Sequence, residues 1–194
     1  MSRRDLFRWC GGRRCFWKVL LFTLWPLTLS MAQPGKLMHA NTLANNSKSN
    51  QSRIWFYDGK WWAIAPHAQS NADYIWRHNA AVDTWIRTAA KLDSGALNRY
   101  DVILDVAAGD LAILRSHNTN TTFYRFTYNA GVWSLNTASL LASFSNADNN
   151  NPCSLIKAKN GDFWVFRIDG SRLQARRSGN GGTNWSGIIN LKLG

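Results

Sequence analysis

The side chains best suited to chemistry here are carboxylates, histidines and arginines, and their types narrow the options at once. All 11 acidic residues are Asp, and the 194-residue chain contains no Glu. Every mechanism that needs a Glu is excluded, whereas a two-carboxylate glycosidase or lyase using Asp alone is not. Asp73, Asp83, Asp101, Asp105, Asp110 and Asp162 lie in or beside turn signals, where Asp side chains commonly bond nearby backbone. A turn role is the economical reading for each. His39, His67, His78 and His117 have no partners at zinc-ligand spacing, and the alternating acids of a calcium loop are missing. Neither a GxSxG nucleophile elbow nor a phosphate-cradling glycine loop occurs. The sequence therefore predicts no metal and no cofactor.

Binding chemistry has better material. Exposed Trp rings stack on the apolar faces of sugars, and the chain holds 11 Trp. Trp61 and Trp62 are adjacent, so on a strand they point to opposite sides and cannot share one core face. Trp62 and Trp76 are the candidate sugar platforms, and the partner they imply is a glycan or cell-surface polysaccharide. Arg172, Arg176 and Arg177 form the densest basic cluster outside the N-terminal segment. Such a cluster attracts acidic glycans or an envelope surface by simple charge.

The formal net charge of +12 overstates the basicity of the folded part. Residues 1–32 read as an export signal, with Arg3, Arg4, Arg8, Arg13, Arg14 and Lys18 ahead of an uncharged stretch from Val19 to Met31. That stretch is too short for a spanning helix, which needs about 20 apolar residues, and Pro26 interrupts it. It ends in Ser30-Met31-Ala32, small at the two positions a signal peptidase reads. Ser2-Arg3-Arg4-Asp5-Leu6-Phe7-Arg8 resembles a twin-arginine motif with its aromatic and Leu transposed, so the general secretory route and the twin-arginine route both remain open. Removing this segment leaves 17 basic side chains and 10 Asp, a net charge of +7. Nucleic acid is not an expected partner for an exported chain of that modest charge. Cys10 and Cys15 leave too, so Cys153 stands alone and no internal disulfide forms.

Residues 33–51 are polar and aperiodic and read as a flexible linker. From residue 52 onward, short runs rich in Trp, Tyr, Ile and Val alternate with Gly, Asn and Asp, which predicts an all-β chain of strands and tight turns. The runs recur. Asp58-Gly59-Lys60, Ala108-Gly109-Asp110 and Asn160-Gly161-Asp162 are turns of one kind, spaced 50 and 52 residues apart. Each repeat closes near a Trp: Trp85, Trp133 and Trp185. A period near fifty holding four strands is the signature of a β-propeller blade. Three four-stranded antiparallel blades are expected, at about 52–88, 100–136 and 153–188, with the recurring Trp filling the space between them.

The third repeat carries a recognisable motif. Ser178-Gly179-Asn180-Gly181-Gly182-Thr183-Asn184-Trp185 resembles the Asp-box, or bacterial neuraminidase repeat, of sialidase-like propellers, with Asn180 in place of the usual Asp. The resemblance implies a structural role for Ser178, Asn180, Gly182 and Trp185, because in those families the box shapes a hairpin turn. It also implies the chemistry of a sialidase: a Tyr nucleophile activated by a Glu, an Asp acid/base and an arginine clamp on the substrate carboxylate. Arg53-Ile54 resembles the early Arg-Ile of that clamp, with Trp55 where Pro normally follows, and Arg115 or Arg167 would complete it. The missing Glu removes the activating base. No catalytic set is therefore assigned. The expectation is an exported propeller-like module for glycan binding or surface recognition, with a fragment of a sialidase-like glycoside hydrolase and a purely structural repeat as alternatives. Three blades make an incomplete ring, completed either by more sequence or by a homodimer of six blades.

Overall fold

A computed structural model of the chain describes residues 53–67, 69–70, 72–94, 98–117, 120–142, 144 and 153–191. The expected export signal and linker lie outside these residues. The described part contains twelve strands and no helix. They form three four-stranded antiparallel sheets, each a meander in which consecutive strands pair. Sheet I comprises β1 (Ile54–Tyr57), β2 (Lys60–His67), β3 (Ala72–Asn79) and β4 (Thr84–Ser94). Sheet II comprises β5 (Arg99–Asp105), β6 (Asp110–Ser116), β7 (Thr121–Asn129) and β8 (Val132–Leu141). Sheet III comprises β9 (Ser154–Lys157), β10 (Phe163–Asp169), β11 (Arg172–Ser178) and β12 (Ile189–Leu191).

The repeated turns set the register. Gly59, Gly109 and Gly161 all take positive φ (69°, 63° and 90°), a conformation a Cβ would strain. Between β1 and β2, Asp58 and Gly59 both have positive φ, so Tyr57 pairs directly with Lys60 across a two-residue hairpin. The first pairs beyond the turn in the other sheets are Asp105 with Asp110, at the same distance from the glycine, and Lys157 with Phe163, one residue farther from it. Because side chains alternate along a strand, fixing the turn fixes which residues face which neighbour.

Sheet II is apolar on both faces and sits between the other two. Leu111 and Ile113 of β6, with Tyr124 and Phe126 of β7, pack against Trp55, Trp62, Ile64 and Ile75 of sheet I. The intervening residues Ala112, Leu114 and Phe123 face the opposite way, onto Leu155, Phe163 and Val165 of sheet III. This alternation explains why the first strands of the repeats read as nearly continuous apolar runs. Each fully buried large side chain contributes roughly 1.5–3 kcal/mol, so these two layers supply most of the stability of a unit with no disulfide.

Trp133 fills the first layer, edge-on to Trp55 and Trp62 at ring-centroid separations of 6.3 and 5.9 Å. Trp185 packs on Phe123 in the second at 5.3 Å. Trp85, at the corresponding place in sheet I, stands on that sheet's outer face beside His78. The strands also run past the repeat limits read from the sequence: β4 reaches Ser94 and β8 reaches Leu141. Their second halves, Thr-Ala-Ala-Lys-Leu-Asp-Ser in β4 and Thr-Ala-Ser-Leu-Leu in β8, contain no Gly or Pro to end the strand, and bulges shift their register against β3 and β7.

Candidate functional site

The two candidate sugar platforms are not offered to solvent. Trp62 is 0% exposed, wedged between sheets I and II against Tyr128 and Trp133, and its Nε1–H donates to the Tyr57 carbonyl at 3.0 Å. Stacking a sugar on it would require the sheets to separate. Trp76 is 7% exposed and donates to the Ala65 carbonyl at 2.9 Å. Trp61 is the exposed member of the adjacent pair, on the outer face of sheet I next to Phe56. It lines a half-open cleft of about 380 Å³ together with Gly59, Lys60, Arg77, His78 and Asn79.

The segment Ser178–Trp185 builds the turn between β11 and β12. Ser178 Oγ accepts from the Gly182 N–H at 2.9 Å and donates to Asn180 Oδ1 at 3.0 Å. The same Asn180 oxygen accepts from the Asn184 N–H at 2.9 Å, so one amide oxygen serves two donors across the turn. Trp185 Nε1–H donates to the Gly182 carbonyl and to Ser139 Oγ, tying the turn to β8. Gly182 has φ of 89°, and a Cβ there would fall 1.9 Å from Phe123 Cε1.

Charge separates the two ends of the stack. At the end holding the repeated glycine turns, each described Asp has a basic neighbour: Asp58 with Lys60, Asp83 with His78, Asp105 with Lys157, Asp110 with Arg125 and Asp162 with Arg177. Two of these carboxylates lie below their ordinary range: Asp58 through hydrogen bonds from Tyr128 and Lys60, Asp105 through those from Lys157 and the Ala108 N–H. At the opposite end, where β2, β6 and β10 finish, the described charged side chains are Arg53, Arg87, Lys91, Arg99, Arg115, Arg167 and Arg172 against Asp73, Asp101 and Asp169; Arg87 reaches His67, Arg167 pairs with Asp169 at 3.2 Å, and Arg99 and Arg115 are buried. Arg53, Arg115 and Arg167, singled out by the arginine-clamp resemblance, all lie here. Arg115 and Arg167 occupy equivalent places, six residues beyond Gly109 and Gly161. The basic cluster expected at Arg172, Arg176 and Arg177 is dispersed, because alternation on β11 turns neighbours to opposite faces and Arg177 is held by Asp162.

A buried polar network organises this end. Asp73 at the start of β3 accepts from the Tyr100 hydroxyl and from Asn98 Nδ2, both at 2.6 Å. Asn98 in turn accepts from Arg115 Nε through its side chain at 2.8 Å and from Arg53 through its backbone carbonyl. Arg115 also donates to Asn120 Oδ1 at 2.8 Å, and the Arg53 guanidinium lies over the Tyr100 ring. The network thus bridges sheets I and II and fixes two arginines. Burial, reinforced by Asp73, pushes the Tyr100 phenol well above its usual range. Burial lowers Arg53, and burial followed by the Arg115 charge lowers His117. Cys153 is buried and its thiol is pushed up, which suits a packing role over a nucleophilic one. The sequence reading missed this network because Asn98 and Tyr100 lie 25 and 27 residues from Asp73. No group of His, Cys or Asp among the described residues could hold a metal ion.

No protein-family model matches the chain, and no curated protein matches its sequence.

Proposed function

We propose that the three sheets are blades of a β-propeller of the sialidase-like, Asp-box kind, and that this exported chain recognises acidic glycans at its arginine-bearing end. The observation that carries the reading is the charge asymmetry. One end pairs each described Asp with a neighbouring base, whereas the other gathers six arginines and one lysine against three Asp, with Arg99 and Arg115 buried and Arg167 paired with Asp169. Arginine is suited to this task because its planar fork pairs with a carboxylate or sulfate through two parallel hydrogen bonds. The network around Asp73 and Asn98 supports the proposal by holding Arg53 and Arg115 in place before any ligand arrives, which lowers the ordering cost of binding.

The reading is one of binding and not of hydrolysis, since the tyrosine nucleophile of a sialidase depends on a Glu and the sequence has none. A glycan array carrying carboxylated, sulfated and neutral saccharides tests it. Retention of acidic sugars over their neutral counterparts is expected, and the carboxylated and sulfated arms tell the two anion sources apart. Equal binding to all three classes, or to none, would contradict it. Release of sialic acid from the array would replace recognition by catalysis.

A further inference from the structure

The ladder between β2 and β3 ends early. In sheet II the β6–β7 ladder reaches Asp110, the residue after the turn glycine, and in sheet III the β10–β11 ladder reaches Phe163, two residues after it. In sheet I the β2–β3 ladder stops at Trp62 and Arg77, three residues after Gly59. Beyond that pair the two hairpin ends part. The cleft of about 380 Å³ lies between them, bounded by residues 59–61 on one side and 77–81 on the other. Its volume falls in the range of about 300–1,000 Å³ usual for small-ligand sites.

The same position on sheet II holds an aromatic ring. Tyr57 meets Tyr128 edge-on at 4.9 Å and Trp133 at 5.4 Å, and its hydroxyl would lie 3.1 Å from a Cβ at Gly109. Tyr128 itself pairs across the ladder with Trp133, their rings 4.9 Å apart and inclined by 58°. Sheet I repeats this cradle. His78 follows Gly59 at the interval at which Tyr128 follows Gly109. It pairs with Trp85, their rings 5.1 Å apart and inclined by 53°, and Asp83 fixes the imidazole through Nε2 at 3.0 Å. A Cβ at Gly59, however, would meet nothing within 4 Å, and the indole of Trp61 beside it is 50% exposed. Charge differs as well. Lys60, held by Asp58, stands where sheet II has Asp110, held by Arg125. Arg77 stands where sheet II has Thr127, and no described Asp forms a salt bridge with it. The cleft therefore joins aromatic walls to a guanidinium that no described acid engages.

We infer that this cleft binds a small aryl carboxylate, its ring over Gly59 against His78 and Trp61 and its acid group on Arg77. An aromatic ring gains edge-to-face contact with such walls, as Tyr57 does on sheet II, and arginine pairs with a carboxylate through two parallel hydrogen bonds. The site is separate from the one proposed for acidic glycans, whose arginines lie at the other end of the strands, and it rests on neither that ligand nor a closed ring.

The test is saturation-transfer NMR on the full chain with three probes: 4-hydroxyphenylacetate, tyramine, which keeps the ring and reverses the charge, and cyclohexylacetate, which keeps the acid and loses the aromatic ring. Transfer to 4-hydroxyphenylacetate alone is expected. Its affinity should fall about tenfold or more in Trp61→Ala and in Arg77→Gln, and stay unchanged in Arg53→Gln. Both cleft substitutions fall on partly exposed side chains, and circular dichroism checks that each variant keeps its strands. Absence of transfer to 4-hydroxyphenylacetate would overturn the inference. So would equal transfer to tyramine, which would remove the role of Arg77, or to cyclohexylacetate, which would remove that of the aromatic walls. Unchanged affinity in either cleft variant would place the ligand elsewhere, and loss in Arg53→Gln with Arg77→Gln intact would place it at the arginine-bearing end. Failure of acidic-glycan binding would leave this inference standing.

Discussion

Asp73 is where the chemistry of single residues matters most. Its sequence context, Asn71-Ala72-Asp73-Tyr74, reads as a turn, yet the side chain is buried and serves two donors from the start of β5 and the segment before it. Removing the acceptor leaves both donors buried, at a cost of about 1–3 kcal/mol. Asp73→Ala should therefore lower the urea midpoint clearly, and Asp73→Asn, which keeps one acceptor oxygen, should lower it less. Equal midpoints for Asp73→Ala and the parent would mean that the network contributes nothing. The phenols give a second prediction. Tyr128 is pushed up to about 12, first by burial and then by its hydrogen bond to Asp58, and Tyr100 is pushed well above its ordinary value by burial and by Asp73. A phenol with a raised pKa stabilises the fold fully below its unfolded value near 10, and that stability is lost as pH climbs towards the folded value. Melting temperatures should decline above about pH 10, and Tyr100→Phe should flatten the decline. A parent curve level to pH 11.5, or no change in the variant, would contradict the assignment.

At the scale of elements, the turns were the legible part of the sequence. Gly59, Gly109 and Gly161 mark the three first hairpins because only a residue tolerant of positive φ closes them cheaply, and the apolar runs beside them became β1, β2, β5, β6, β9 and β10. The ends of the repeats were less legible. β4 and β8 run past the limits of the repeats, while β12 is only three residues long because the turn from Ser178 to Trp185 occupies the chain before it. The sequence also could not distinguish Trp61 from Trp62, since strand alternation separates the two without saying which side is covered. That choice is made by Tyr128 and Trp133, more than sixty residues away. Within the Ser178–Trp185 turn, Gly182→Ala should cost at least about 2 kcal/mol, from the positive φ and the collision with Phe123 together. Asn180→Asp, which keeps the acceptor oxygen, should be close to neutral. Thermal denaturation of the pair checks both, and a tolerated Gly182→Ala would mean that sheets II and III are not packed as described.

At the scale of the whole molecule, two gradients run through the stack. One is apolar: the central sheet is buried on both sides, whereas the flanking sheets keep single exposed apolar side chains outward, Trp61 on sheet I and Ile156 on sheet III among them. The other is electrostatic, running from an end where each described Asp has a basic neighbour to an end where arginines outnumber Asp, Arg167 alone being paired with Asp169 in a salt bridge among those described. The first gradient was legible as a threefold repeat, because burial on both faces makes the first strands continuously apolar. The second was not, because Arg53, Arg99, Arg115 and Arg167 lie far apart in the sequence and only the common direction of the strands brings them to one end. The dispersal of the Arg172–Arg177 cluster has the same cause in reverse. The central claim is that the arginine end reads a negative charge on a sugar, and saturation-transfer NMR with 3′-sialyllactose and lactose tests it most directly, since the two ligands differ by one carboxylate-bearing residue. Transfer to sialyllactose and not to lactose is the predicted result, weakened about tenfold or more by Arg53→Gln, as expected for a lost charge-assisted hydrogen bond, and unchanged by Arg177→Gln at the opposite end. Equal transfer to both sugars, or loss of binding in Arg177→Gln with Arg53→Gln unaffected, would contradict the account.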